Sequence, residues 1–276
     1  QGVTISFFIK RGSEEGINAV VRHADLWGLR EQKYKWLDGH DQKHTDWAEL
    51  NPKSPFYFFI PRDEEYAEQY HNFVPIPEVF PVNVTGIVTA RDKLTVDFDE
   101  GSLLAKIRIL QDRSLPDDYI REYLAGLLGR SPSQVENYAW RISAARTSLQ
   151  KVSNLEEHVV PILYRPFDNR KIFYHDSVVW RTRIEVMRHM LAGKNLALCV
   201  GRQGQVVGGD MWNLAFCSPH IQDLNLFYRG GNVNFPLYLC PYPEQGSLFG
   251  HLEPQQPQPN LNLELFTALA QAYGVQ

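Results

Sequence analysis

Apolar positions along this chain fall into two patterns, unbroken runs rich in β-branched and aromatic residues and stretches with a helical period. Residues 2–11 (GVTISFFIKR) hold Val3, Ile5, Phe7, Phe8 and Ile9 in one run, which predicts a buried strand, with residues 18–27 as its successor. Residues 28–37 read as a helix, and residues 55–61 (PFYFFIP) as a strand bounded by prolines. Between residues 74 and 81, Pro75, Pro77 and Pro81 remove backbone donors and predict a loop or hinge. Residues 82–98 (VNVTGIVTARDKLTVDF) offer two β-rich runs joined around residues 90–93, a hairpin with Arg91 and Asp92 at its turn.

Helix signals follow. Pro116 opens a first turn with Asp117 and Asp118 beside the positive end of the dipole, Ile120, Tyr123, Leu124 and Leu127 make one face, and Gly129 supplies the C-terminal cap. A second helix is predicted from Ser131 as N-cap, with Pro132 in its first turn and Gln134 completing a capping box. Its apolar face is Val135, Ala139, Ile142 and Leu149, which leaves Arg141 and Arg146 near solvent. After Val159 short extended runs take over, at residues 162–164, 171–174, 196–200, 215–217 and 235–239, interrupted by one helix at 183–191. Residues 252–260 (LEPQQPQPN) read as a Pro/Gln linker, and residues 261–273 as a last helix. The fold class predicted is mixed α/β, a mixed sheet with several helices.

At 276 residues, 43% hydrophobic and 22% charged, the chain is an ordinary globular protein sized for one large domain with an appended segment. Cys199, Cys217 and Cys240 are odd in number and widely spaced, which argues against a disulfide framework and fits a reducing cytoplasm. No apolar stretch approaches the roughly 20 residues of a membrane span. The chain starts without methionine directly in a strand-like run, as a piece of a longer protein would. The net charge of −4 is unevenly spread: residues 141–202 hold eleven Lys and Arg against five acids, which leaves the remainder at −10.

Few residues are arranged for catalysis. There is no phosphate-cradling GxxxxGK[ST] loop and no Asn/Asp-Pro-Pro-aromatic loop of the kind that holds an amino group for methylation. His40 and His44 would share one face of a helix and could hold a metal with Asp41, though no further ligand is evident. Asp97 and Asp99 alternate onto one strand face near Lys93, the residue types a Mg2+-dependent nuclease needs, and equally those of an exposed strand. The basic window is more informative, because Tyr164, Phe167, Phe173, Tyr174 and Trp180 interleave with Arg165, Arg170, Arg181 and Arg183. Arg and Lys neutralise phosphates, and Arg, Asn and Gln can pair with base edges in a groove. The same letters also describe core aromatics with a rim of arginines.

The runs ILYRPFDNRKIFYHD (162–176), WRTR (180–183), NLALCVGRQ (195–203) and FPLYLCPYP (235–243) resemble the C-terminal specificity region of Type ISP restriction-modification enzymes. GVTISFFIKR resembles the closing strand of that family's methyltransferase fold, and TGIVTARDKLTVDF (85–98) its Gly-x-x-Thr-x-Arg-Asp segment. The resemblance implies three parts: residues 1–75 as the end of a methyltransferase core with a connecting segment, 76–251 as a DNA target-recognition domain, and 252–276 as linker and helix. It implies a domain that positions double-stranded DNA for N6-adenine methylation by a catalytic domain outside this chain. The cofactor is then the parent's S-adenosylmethionine, with Mg2+ and ATP for nuclease and translocase parts, and the partners are DNA and the parent's other domains. Arg91, Arg165, Arg170, Arg181, Arg183 and Arg202 are the expected DNA contacts, with Gln203, Asn232 and Asn234 as base readers. A metal-dependent nuclease and a non-catalytic module coupling neighbouring domains are the alternatives.

Overall fold

A strand needs a neighbour to take its backbone hydrogen bonds, and an apolar stripe needs a surface to cover it. The computed structural model describes residues 4–9, 19–201, 213–227, 231–241 and 256–274. The chain divides into two units, residues 1–73 and 74–276.

In the first unit β1 (Val21–His23) pairs antiparallel with β2 (Ala48–Leu50), and the helices are α1 (Arg30–Gly39) and α2 (Ala67–His71). None of its described residues is buried. Residues 4–9 form no strand, and Phe7 and Phe8 are 82% and 83% exposed. No described strand lies beside the run, and β propensity is realised only on a neighbouring ladder. The strand expected at residues 55–61 is absent too. Tyr57 N–H donates to the Lys53 carbonyl at 2.9 Å in a turn, and its φ of 47° departs from any extended path.

The second unit opens with α3 (Ile76–Val79) where a loop was expected. Pro75 is its N-cap and Pro77 lies in its first turn, where a missing N–H removes no helical bond. There follow β3 (Val84–Thr85), α4 (Asp92–Thr95), β4 (Val96–Asp97), α5 (Glu100–Gln111), α6 (Asp117–Leu128), α7 (Ile142–Leu149), β5 (Val159–Arg165), β6 (Asp168–Phe173) and α8 (Ile184–Leu191). The remaining elements are β7 (Ala197–Gly201), β8 (Ala215–Ser218), β9 (Ile221–Gln222), β10 (Asn232–Pro236), β11 (Tyr238–Leu239), β12 (Gln258–Pro259) and α9 (Leu263–Tyr273).

α6 ends as predicted at Gly129, left-handed at φ 66°. The long helix expected from Ser131 is instead a 3-10 turn and the separate α7. Asn137 Oδ1 accepts from the N–H groups of Ala139 and Trp140, and Glu136 Oε1 from that of Ile142, so side chains take donors that a continuous helix would use. The break turns Trp140 inward, to 8% exposure. Arg146, expected near solvent, is buried and bonded to Asp117 and to the Asp112 and Leu115 carbonyls.

Among its described residues this unit holds the two-stranded pair of β11 and β12 and two four-stranded sheets. One runs β3-β10-β7-β8, antiparallel throughout; the other runs β4-β6-β5-β9, with β5 and β9 parallel. The expected 82–98 hairpin is therefore not one, because α4 intervenes and β3 and β4 join different sheets. Residues 86–88 connect the sheets: Gly86 N–H donates to the Asn232 carbonyl, Ile87 bridges Asp223 just beyond β9, and Val88 bridges Arg181. The core lies between α5, α6 and α7 and the sheet of β5 and β6, with Leu103, Ile107, Ile120, Leu124, Ile142, Leu149, Ile162 and Ile172 fully buried. In the segment read as a linker, Gln258–Pro259 pairs with Tyr238–Leu239, and buried Asn260 clips Val82 and Pro236 together through its amide. The mixed α/β class read from the sequence holds. No helix among the described residues is long and apolar enough to cross a membrane.

Candidate nucleic-acid interface

Residues 86–93 (GIVTARDK) form the centre of the site. Gly86 fits where nothing larger can: a Cβ there would sit 2.5 Å from Asn232 Oδ1 and 2.7 Å from the Asp223 backbone carbonyl. Arg91 precedes α4 as its N-cap residue, and its carbonyl accepts from Leu94 and Thr95. Arg91 is 3% exposed, and its guanidinium lies 3.7 Å over the Trp140 ring. Nε and Nη1 have no hydrogen-bond partner among the described residues. Burial, with the nearby Arg130 charge second, lowers its pKa to about 10, so it keeps its charge at neutral pH.

Asp92 is held from two sides. The Thr89 hydroxyl donates to Oδ1, and Tyr164 Oη, reaching across from β5, donates to Oδ2 at 2.8 Å. Burial, with the Asp92 hydrogen bond second, pushes the Tyr164 phenol up to about 12. Beside them Asp223 Oδ1 accepts from Arg165 Nη1 at 2.7 Å and from Asn225 N–H at 2.8 Å. Asp223 is nearly inaccessible, and its burial outweighs the Arg165 ion pair, raising its pKa to about 6. Arg91, Asp92, Tyr164 and Asp223 border a cavity of about 430 Å³ whose lining also includes Lys93 and Arg130. Both of these cations are exposed.

The arginines expected from the sequence fare differently. Arg170 is engaged within the fold: it grips Asp168 through Nε and Nη2 and lies 4.2 Å from both the Phe98 and Tyr164 rings. Arg165 continues that stack, 3.9 Å from Tyr164 on its way to Asp223. Arg181 is exposed, with its backbone bridged to Val88 and its guanidinium 4.9 Å from the exposed Trp180 ring. Arg183 is half-buried, left-handed at φ 55°, and precedes α8 as N-cap residue. Asn232 and Asn234 correct the expectation of base readers: they are 0% and 1% exposed on β10, and their amides face each other and the Val84 carbonyl at 3.4 Å. An inward-facing strand position points its side chain at the core. Arg202 and Gln203 lie outside the described residues. Arg91, Arg165 and Arg181 thus gather around residues 86–93. Sequence reasoning missed Arg130 and Asp223, whose partners are far away in the chain.

The nuclease grouping does not assemble. Asp97 Oδ2 accepts from Lys106 Nζ at 2.8 Å, and Asp99 caps α5 by accepting from Ser102 N–H at 2.7 Å. Lys93 belongs to the cavity instead. His40 and His44 share no helical face, since α1 ends at Gly39; the His44 ring bonds Asp41 at 2.6 Å and that of His40 the Trp36 carbonyl at 2.8 Å.

Residues 78–276 match the model of the family described as the Type ISP C-terminal specificity domain. A comparison with curated proteins gives no match. Among solved structures, the chain is similar to a DrdV–DNA complex at TM-score 0.58 and 18% identity, over 89% of this chain and 24% of that one. It is also similar to LlaBIII, an ATP-dependent Type ISP restriction-modification enzyme bound to DNA, at TM-score 0.56 and 18% identity, over 87% of this chain and 15% of that one. A nuclease-deletion mutant of the Type ISP enzyme LlaGI with a DNA substrate mimic gives TM-score 0.55 and 17% identity, over 81% and 19%. The chain spans about a quarter or less of the length of these proteins.

Proposed function

The chain belongs to the family of Type ISP C-terminal specificity domains, and from that premise we propose that it binds double-stranded DNA and sets the target of a parent restriction-modification enzyme. The match over residues 78–276 carries this reading. The parent's reaction is N6-adenine methylation from S-adenosylmethionine, coupled to restriction that draws on Mg2+ and ATP, in the cytoplasm. No step of methyl transfer is assigned to this chain, whose sequence has no Asn/Asp-Pro-Pro-aromatic loop. Its partners are DNA and the parent's methyltransferase and other domains.

Arg181 and Arg183 grip backbone phosphates beside Trp180, and Arg202 and Gln203 read base edges. Arg165 and Arg170 hold the β5–β6 hairpin in shape. The test is duplex binding by the 276-residue chain across a salt series. The logarithm of affinity is expected to fall linearly with the logarithm of salt concentration, because each neutralised phosphate releases a counterion. An affinity that does not change with salt overturns the reading in favour of a domain-coupling module.

A further inference from the structure

The cavity beside residues 86–93 holds a contradiction that a ligand resolves. Arg91 is 3% exposed, yet Nε and Nη1 find no acceptor among the described residues. A buried charged donor without a partner is costly unless something else supplies the acceptor. The acids of the same cavity are not available to it: both Asp92 oxygens accept hydroxyl protons, from Thr89 and Tyr164, and Asp223 is held by Arg165 and the Asn225 N–H. Meanwhile Lys93 and Arg130 add two exposed cations to the same lining. Arg130 follows the left-handed Gly129 cap of α6 and donates to the Ala90 carbonyl at 3.2 Å, which anchors it beside the Arg91 backbone. Three cations from two separate segments therefore line one cavity, beside two buried Arg91 donors that meet no acceptor among the described residues.

We propose that this cavity is an anion site that seats one backbone phosphodiester of bound duplex DNA, with Arg91 at its base and Lys93 and Arg130 at its rim. The inference rests on the DNA-binding reading above and names the phosphate contact that reading leaves open. A phosphodiester offers two unesterified oxygens to a guanidinium fork, and its negative charge falls against a lining in which Arg91, Lys93 and Arg130 outnumber Asp92, the Asp223 charge being paired with Arg165. The neighbouring bridge from Val88 to Arg181 places that exposed arginine next along the surface, so the site and Arg181 serve one DNA backbone.

The test uses the full chain and a set of duplexes that each carry one uncharged methylphosphonate link. In the unmodified protein one link position is expected to weaken binding. In Lys93→Gln and Arg130→Gln that position loses its effect, and the salt slope falls by about one. Both residues are at the surface, so thermal melting that matches the parent chain confirms that each variant is folded. If DNA binds with a normal salt slope and the link pattern is the same in both variants, the cavity site is overturned while the DNA reading stands. If no salt-dependent DNA affinity exists, the DNA reading fails first and the site fails with it. If inorganic phosphate at constant ionic strength binds in an Arg130-dependent way but no link position matters, the cavity is a free-anion site and the proposal is overturned.

Discussion

Within the window from residue 141 to 202 the β5–β6 hairpin and the segment that leads into α8 each carry two arginines and use them in opposite ways. In the hairpin, Arg165 and Arg170 are stacked on Tyr164, with Arg170 also against Phe98, and each is paired with a carboxylate, Asp223 and Asp168 respectively. In the segment before α8, Arg181 is exposed and its guanidinium lies 4.9 Å from the neighbouring Trp180 ring. Arg146, also in the window, is buried outright. Charge counted along a sequence therefore overstates the charge that a polyanion meets, because a guanidinium hydrogen-bonded to a carboxylate has its field largely cancelled. What distinguishes the two regions is whether a carboxylate lies within reach in the fold.

The largest effect that tests this contrast is on stability. Arg146→Ala leaves Asp117 and two carbonyls without their donor, which is expected to destabilise the second unit by about 1–3 kcal/mol. The salt slope of DNA binding is expected to stay unchanged. Chemical denaturation beside a salt titration checks both at once, and a lowered slope would show that Arg146 acts on DNA rather than on the fold.

The next contrast sets Arg170→Ala against Arg181→Ala. Losing the Asp168 pair and the two ring contacts is expected to cost stability, about 1 kcal/mol given partial exposure, with little change in DNA affinity. Losing Arg181 is expected to leave stability within about 0.5 kcal/mol and to lower the salt slope by about one. If the two variants exchange these phenotypes, the division between locked and available arginines is wrong.

Much of the second unit was legible in the sequence, and the places where it was not share a cause. α6 with its Gly129 cap, α8 and the strands β5 to β8 follow from local period and punctuation, which short-range physics settles. The runs at residues 4–9 and 55–61 look like strands by the same criteria, yet strand formation depends on a partner that composition does not name. The split before α7 depended on Glu136 and Asn137 capturing backbone donors, a competition that a helical period conceals. The cavity was hidden for a different reason. Tyr164 meets Asp92 across 72 residues of chain and Arg130 meets Ala90 across 40, so no local motif holds the site. The only sequence signal was the Gly-x-x-Thr-x-Arg-Asp segment, whose glycine the packing against Asn232 and Asp223 now explains.

The smallest expected effect concerns pH, and it separates the two regions through one carboxylate. Asp223 faces Arg165, Asp92 and the Asn225 N–H, and burial lifts its pKa from 3.8 to about 6. Because the folded value is raised, the native state binds more protons than the unfolded state between about pH 4 and pH 6. The stability that Asp223 contributes is therefore present at the acid end of that window and is lost as pH rises through 6. Binding follows the same proton. Below pH 6 a neutral Asp223 no longer offsets Arg165, so the cavity becomes more positive and DNA affinity is expected to rise several-fold between pH 7.5 and 5.5. His175, His189 and His220, which burial holds below the ordinary imidazole value, also gain charge on acidification, so the informative quantity is the difference from Asp223→Asn. That variant fixes the neutral state, so its affinity at pH 7.5 is expected to exceed that of the unmodified chain, with a flatter pH profile that converges with it at pH 5.5. Parallel profiles in the two proteins would mean that Arg165 is locked whatever the charge on Asp223, and that the boundary between the two sets of arginines does not move with pH.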